Sequence, residues 1–366
     1  MGYSTQGIRN LALVGQAGSG KTLLLEALLL QAGATRAKGS LQRGTTVSDF
    51  DPQEKRLLHS LDTAICTFDC DDTHINLIDT PGYPDFLGRT FSVLEAVESA
   101  AVVISATASV DAVTQRIMEF ARDRELCRLI IVNKIDSHDA HPQGILQQLR
   151  EVFGPECLPL NLPAEGGTKV VDCFFHADAQ QTDFSTVQAA HTQIIDQVVE
   201  VDEDLMALYL EQGEELTPQQ LHDPFEKALR EGHLVPVCFV SAETGVGIPE
   251  LLTIIERLMP NPAEGNPPPF LKGASDGAQR VEVTPDPSRH VVAHVFKVSV
   301  DPYVGKLGVF RVHQGTVKQG TQLFVGDARK PFKLAHLYKL MGRETVEVQE
   351  AVPGDICAVA KVDELH

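Results

Sequence analysis

Gly15-Gln16-Ala17-Gly18-Ser19-Gly20-Lys21-Thr22 lies between the apolar run Ile8 to Val14 and the leucine-rich stretch Thr22 to Gln31, and its reading decides the fold. The string satisfies G-x-x-x-x-G-K-[ST], which makes a phosphate cradle when a strand leads into it and a helix leaves it. Backbone N–H groups of residues 15–20 and the helix N-terminus would then surround phosphates, with Lys21 reaching the terminal groups and the Thr22 hydroxyl ligating Mg²⁺. A plain glycine-rich turn is the competing reading.

A second element removes that alternative. The apolar run His74 to Ile78 ends in Asp79-Thr80-Pro81-Gly82. An aspartate at that strand end holds Mg²⁺ through water, and a glycine just past it lets a backbone N–H approach a γ-phosphate. A third strand end, Asn133-Lys134-Ile135-Asp136, supplies base identity. The Asp136 carboxylate can accept from both the ring N–H and the exocyclic amine of guanine, whereas adenine offers no matching donor pair. The Val240-Ser241-Ala242-Glu243 string closes a last strand, where the Ala242 N–H is expected to meet the guanine carbonyl oxygen. GTP or GDP with Mg²⁺ is therefore the expected ligand.

Around these strings, apolar runs of five to seven residues alternate with amphipathic stretches. His74 to Ile78 precedes a helix over Pro84 to Ser99; Ala101 to Ser105 precedes one over Asp111 to Glu125; Arg128 to Val132 precedes one over Pro142 to Phe153. Continuous apolar strands between helices predict an α/β fold with a mostly parallel sheet covered on both faces. Ligands of such sheets sit at the carboxyl ends of the strands. Between about Pro155 and Gly232 the alternation gives way to a short strand, Lys169 to Phe175, and two helical stretches, Ser185 to Glu211 and Pro218 to Glu231; it resumes with Leu234 to Val240 and Ile248 to Met259. A proline-rich linker follows, and from His290 onward the period falls to two, which predicts a small antiparallel β-barrel. The expected domains are 1–265 with an inserted α+β subdomain at about 155–232, a linker over 260–285, and a barrel over 286–366.

Composition sets the outer limits. The 366 residues hold 31 Lys and Arg against 50 Asp and Glu, a formal net charge of −19, which argues against nucleic-acid binding through a general basic surface. No stretch reaches the length of apolar residues that a membrane span needs. The seven cysteines form no C-x-x-C and no zinc-like quartet, and read as reduced, buried thiols of a cytoplasmic protein. Cys66 and Cys70 share one strand face, and His138 and His141 stand at i and i+3, but packing and solvation account for both pairs without a metal. The acidic stretch Glu200 to Glu215 is either a docking face for a basic protein or a solvated one.

These four elements in this order resemble the GTP-binding domain of the translational GTPases, and three features are similar to elongation factor G in particular. Residues 137–240 separate Asp136 from Ser241, room for the extra subdomain of that family, with Leu158 to Pro163 and Val170 to Asp172 similar to its opening. Pro236 to Ala242 and Leu258 to Pro262 follow the family's run into its proline linker, and Gly308 to Val317 and Pro353 to Ile356 resemble its second-domain barrel. The resemblance covers Ile8 to Leu365 and implies a GTPase of low intrinsic rate that acts on the ribosome, through rRNA and ribosomal proteins, in translocation, recycling or a specialised variant, as a cytoplasmic monomer that uses neither membrane nor DNA. A low-turnover GTP-dependent switch and a ribosome-protection or release-type factor are the alternatives.

Lys21, Gly82 and Tyr83 are the residues the resemblance implies for hydrolysis. Tyr83 stands where the family usually has the histidine that positions the attacking water, and Gln16 and Gly18 stand where its phosphate loop usually has His and Asp. Aligned on Asp49 and on the distance to Asp79, the switch that normally reads R-G-I-T-I falls at Leu57 to Leu61, which makes Ser60 the Mg²⁺-ligating hydroxyl; Thr46, in Arg43 to Val47, is the other candidate. Such departures indicate a divergent paralogue. The sequence also stops, at Val362 to His366, a turn and a strand short of where the family's barrel closes, as expected of a piece of a longer chain.

Overall fold

The structure, a computed structural model, describes residues 3–212, 216, 218–272, 278–301, 305–326 and 330–360. The first half runs β1 (Ile8–Val14), α1 (Lys21–Gln31), α2 (Pro52–Leu57), β2 (Ala64–Cys70), β3 (Thr73–Asp79), α3 (Leu87–Leu94), β4 (Ser99–Ser105), α4 (Ala112–Asp123), β5 (Cys127–Asn133), α5 (Pro142–Phe153) and β6 (Cys157–Pro159). Then come β7 (Asn161–Ala164), β8 (Lys169–Asp172), α6 (Val187–Val199), α7 (Glu203–Gln212), α8 (Pro218–Glu231), β9 (Val235–Phe239) and α9 (Ile248–Leu258).

The strands line up as β6-β9-β5-β4-β1-β3-β2, parallel except for the β2–β3 pair. Successive residues of each strand point to opposite faces, and the two faces are both dry. Leu11, Leu13, Leu129 and Ile131 pack with α1, α6, α8 and α9, whereas Ala12, Val14, Ile130 and Val132 pack with α3, α4 and α5. This is the expected α/β architecture, and it brings the ends of β1, β3, β5 and β9 to one edge.

Some boundaries differ from the sequence reading. The stretch after Pro155 first adds β6 to the main sheet, beside β9, before leaving as the β7–β8 hairpin. The helix expected over Ser185 to Glu211 is two helices, because the Asp202 carboxylate accepts the Leu205 N–H at 2.9 Å and caps a new start. The helix expected from Pro84 is a short 3₁₀ turn leading into α3, which stops at Leu94 so that β4 can begin at Ser99. Part of the acidic stretch Glu200 to Glu215 lies outside the described residues.

Beyond α9 the chain is antiparallel: β10 (Phe270–Lys272), β11 (Gln279–Val281), β12 (Val292–Asp301), β13 (Gly305–Gln314), β14 (Val317–Lys318), β15 (Gln322–Leu323), β16 (Phe332–Lys333), β17 (Leu337–Met341), β18 (Glu344–Val348), β19 (Glu350–Ala351) and β20 (Ile356–Ala360). β12, β13, β20, β17 and β18 pair in that order around a core that includes Phe310, Val312, Leu337 and Val359. The expected barrel end, Val362 to His366, lies outside the described residues.

This second module is fastened to the first by buried polar contacts. Arg311 pairs with Glu98 and donates to the Ala96 carbonyl, and the Asn10 side chain bridges Glu98 and the Gly354 carbonyl. Lys297 reaches the Thr63 carbonyl and Asp62, and Gly342 sits so close to Val47 that a Cβ would stand 2.1 Å from the Val47 carbonyl oxygen. All seven cysteines are free, six of them buried, with Cys70 partly exposed. Among the described residues no helix is long and apolar enough to cross a membrane, and no His, Cys, Asp or Glu cluster of metal-binding size occurs.

Candidate nucleotide-binding site

The loop after β1 turns through Gly15, Gly18 and Gly20, with φ of 130°, 77° and 93°, a backbone path that side-chain-bearing residues rarely take. Gly20 precedes α1 with no side-chain cap, so the first N–H groups of α1 are left to an external acceptor. Ser19 is buried within the loop, its N–H and hydroxyl both donating to the Gln16 carbonyl. The Lys21 ammonium, also buried, donates to the Gly15 and Gln16 carbonyls at 2.8 and 2.9 Å. Burial pushes it down to about 8, opposed by the carboxylates of Asp79, Asp111 and Asp49. A positive group held at that cost suits an anion.

Across the loop, Thr80 anchors the end of β3 to β1 by donating to the Leu13 carbonyl at 2.8 Å. That places Asp79 beside Thr22, whose hydroxyl donates to Asp79 Oδ2 at 2.7 Å; the Ser48 hydroxyl donates to the same oxygen at 3.0 Å, and Ser60 Oγ stands 3.3 Å from Thr22 Oγ1. Asp79 Oδ1 is buried with no hydrogen-bond partner, as are both carboxylate oxygens of Asp49 and the Thr46 hydroxyl. Burial, then the neighbouring Asp79, push the Asp49 carboxyl up to about 6; Ser60 eases that charge without reaching hydrogen-bonding geometry. Two carboxylates and several hydroxyls, hard oxygen donors with unused lone pairs, fit Mg²⁺. Gly82 abuts the phosphate loop: a Cβ there would lie 2.5 Å from both the Ala17 nitrogen and Lys21 Nζ.

Tyr83 is 41% exposed, and its ring packs on His59, centroids 4.5 Å apart. The base-recognition strings stand beside the loop. Asn133 donates to the Ser19 carbonyl at 3.0 Å and its Oδ1 accepts the N–H groups of Lys134 and Ala242 at 2.8 and 2.9 Å. The Ala242 N–H, expected to meet the base, is thus used to tie the Ser241-Ala242 turn to Asn133. Ser241 is buried, its hydroxyl accepting the Thr244 N–H, and Lys134 Nζ donates to the Gly18 carbonyl at 2.6 Å. Asp136 is exposed, three residues after Asn133. His138 is fully exposed beside Asp139, and His141 leads into α5.

Two residues of the site, Ser48 and Lys38, carried no motif signal, and Asp49 served only to place the switch. Asp49 and Ser48 lie in a segment whose path is set from α1, where the Glu26 carboxylate accepts the N–H groups of Gly39 and Val47. Lys38 reaches the Ala242 and Glu243 carbonyls at 2.5 and 3.0 Å.

A glycine-rich loop between β1 and α1, an aspartate at the end of the adjacent β3 and the Asn133 to Asp136 turn after β5 define a P-loop GTPase fold. The family described as "Elongation factor Tu GTP binding domain" matches residues 6–261, and "Elongation factor G domain 2" matches residues 290–366. An "Elongation factor G-like protein" of Mycobacterium tuberculosis is 32% identical over 97% of this chain and 53% of its own length, and one of Thermotoga maritima is 28% identical over 98% and 53%. A crystal structure of a Thermus thermophilus protein superposes with a TM-score of 0.83 at 34% identity, covering 99% of this chain and 53% of that one. The chain therefore belongs to the elongation factor G-like family of translational GTPases. It spans about half the length of these relatives.

Proposed function

We propose that this chain binds GTP and GDP with Mg²⁺ and hydrolyses GTP to GDP and phosphate, and that the protein it represents works on the ribosome. The observation that carries the reading is the junction of Thr22, Asp79 and Ser48, with the unpartnered oxygens of Asp79 and Asp49 alongside the buried Lys21 ammonium. In this reading the N–H groups of Gly15 to Gly20 and the start of α1 hold the phosphates, and Lys21 leaves its loop carbonyls for the β and γ oxygens. Thr22, Asp79 and Ser60, or Thr46, hold the metal, which would neutralise phosphate charge when bound. Gly82 keeps the space in which a backbone N–H meets the γ-phosphate, and Asp136 reads guanine, with Asn133, Lys134, Ser241 and Ala242 shaping its pocket.

The domain limits we assign are 1–265, with an insertion at about 155–232, and 286–366. Tyr83 favours a second reading, a switch with slow turnover: a phenol can hold a water but cannot carry the positive charge of an imidazolium. Nucleotide titration with and without Mg²⁺, followed by phosphate release with and without ribosomes, tests both. GDP and GTP binding that weakens when Mg²⁺ is removed, with turnover raised by ribosomes, is the expected result. No nucleotide binding would overturn the first reading, and no turnover under any condition would leave the switch.

A further inference from the structure

The inserted segment meets the base-recognition loops at two points. At its start, the buried Asn161 side chain takes both backbone groups of Phe239, accepting its N–H at 2.7 Å and donating to its carbonyl at 3.1 Å. Phe239 ends β9, two residues before Ser241, so this pair fixes where the Ser241-Ala242 turn begins. A few residues on, the tip of the β7–β8 hairpin lies backbone to backbone on the turn that carries Asp136. A Cβ on Gly167 would stand 2.2 Å from the Ile135 carbonyl oxygen, so only glycine admits this approach.

The hairpin tip is itself held in an unusual shape. Glu165, Gly166 and Gly167 have φ of 53°, 68° and 79° in succession, a left-handed run that costs free energy at a non-glycine residue. Such a run turns neighbouring N–H groups to one side, where they suit an anion. The Asp183 carboxylate occupies that position, accepting the Gly166 and Gly167 N–H groups at 2.9 and 3.0 Å, while its own N–H donates to the Pro163 carbonyl at 2.8 Å. Asp183 thus closes the hairpin tip, and the tip backs the Ile135-Asp136 peptide. The two recognition turns are in addition joined to each other, Ile135 N–H to Val240 carbonyl at 3.3 Å and Ala242 N–H to Asn133 Oδ1 at 2.9 Å.

We propose that the insertion braces the base-recognition loops from behind and that Asp183 is a positioning residue for Asp136, setting how strictly guanine is preferred. The proposal rests on the reading that Asp136 accepts from guanine. Asp183 touches no part of the base, so its effect passes through the alignment of the Asp136 carboxylate. A bidentate carboxylate pair needs both oxygens aligned at once, whereas the single bond that IDP can offer tolerates a tilt of the carboxylate.

GDP and IDP discriminate this role from a general loss of fold, since IDP lacks the exocyclic amine. Affinities for both, together with the GDP dissociation rate, are measured for the unaltered chain and for Asp183→Ala, Asp183→Asn and Asp136→Asn. Asp183→Ala is expected to weaken GDP by about tenfold and IDP by less than about twofold, with faster GDP release. Asp183→Asn, which keeps one acceptor oxygen, is expected to fall between. Equal GDP and IDP affinities to the unaltered chain, or equal losses of both, in Asp183→Ala while Asp136→Asn abolishes the GDP preference would overturn the brace and leave the guanine reading intact. An unchanged GDP preference in Asp136→Asn would overturn the guanine reading, and the brace with it.

Discussion

Gly82→Ala tests the closeness of the two phosphate-facing loops. The added Cβ would lie 2.5 Å from the Ala17 nitrogen, 2.5 Å from Lys21 Nζ and 2.7 Å from the Gln16 carbonyl carbon, against an ordinary contact distance of at least 3.4 Å. The loops must part by about 0.9 Å to admit it. Overpacking of that kind costs roughly 1–3 kcal/mol. Both segments are loops, so the chain without nucleotide relieves the clash by moving apart; binding of a γ-phosphate draws them together again and restores it. The cost should fall on GTP far more than on GDP, a loss of about 5- to 150-fold in GTP affinity at nearly constant GDP affinity. Titration with a non-hydrolysable GTP analogue and with GDP reads both numbers. Unaltered affinity for the analogue, or an equal loss for the two nucleotides, would refute the reasoning.

Three further outcomes follow from particular side chains. Tyr83→His is expected to raise ribosome-stimulated phosphate release by about tenfold, and Tyr83→Phe to lower it, at unchanged nucleotide affinity; equal rates for all three would remove Tyr83 from the handling of water. Arg311→Met leaves the buried Glu98 carboxylate without its cation and should cost about 3–5 kcal/mol in urea unfolding, so a loss below about 1 kcal/mol would contradict the fastening role given to that pair. Burial, with Arg311 and His294 beside it, holds His313 well below its ordinary range. The folded state therefore keeps His313 neutral while the unfolded state protonates below about pH 6.5, and stability falls as pH drops through that window, by up to about 1.4 kcal/mol per pH unit. Half-buried carboxyls such as Glu226, pushed up to about 7, act in the opposite direction, so the comparison is between the unaltered chain and His313→Gln at each pH. The variant should show a shallower loss between pH 6.5 and 5.5, and parallel curves would refute the assignment.

The parallel sheet was legible because most of β1, β4 and β5 is buried on both faces, so that Leu11 to Val14, Ala100 to Ile104 and Leu129 to Val132 read as apolar runs. The strings proposed for phosphate and base could be picked out because such chemistry needs fixed spacings within one turn, and the structure brings them side by side. The place of Asp49 beside Asp79 could not be read, since what brings them together is a loop tied by Glu26 and packed against Gly342 of the second module, contacts far apart in sequence. The break between α6 and α7 was missed because a single capping aspartate, Asp202, outweighs an apolar period that continues across it. β6 was missed because three residues are too few for any period to show.

The most direct test of guanine recognition is the base preference of Asp136→Asn. The carboxylate accepts from the exocyclic amine of guanine, whereas an amide can donate to the carbonyl that takes its place in xanthine. Competition of GDP and XDP for the unaltered chain and the variant should show GDP weakened by about 3 kcal/mol, roughly a hundredfold, and XDP strengthened past it. A variant that binds GDP as tightly as the unaltered chain, or that shows no gain for XDP, would contradict the account.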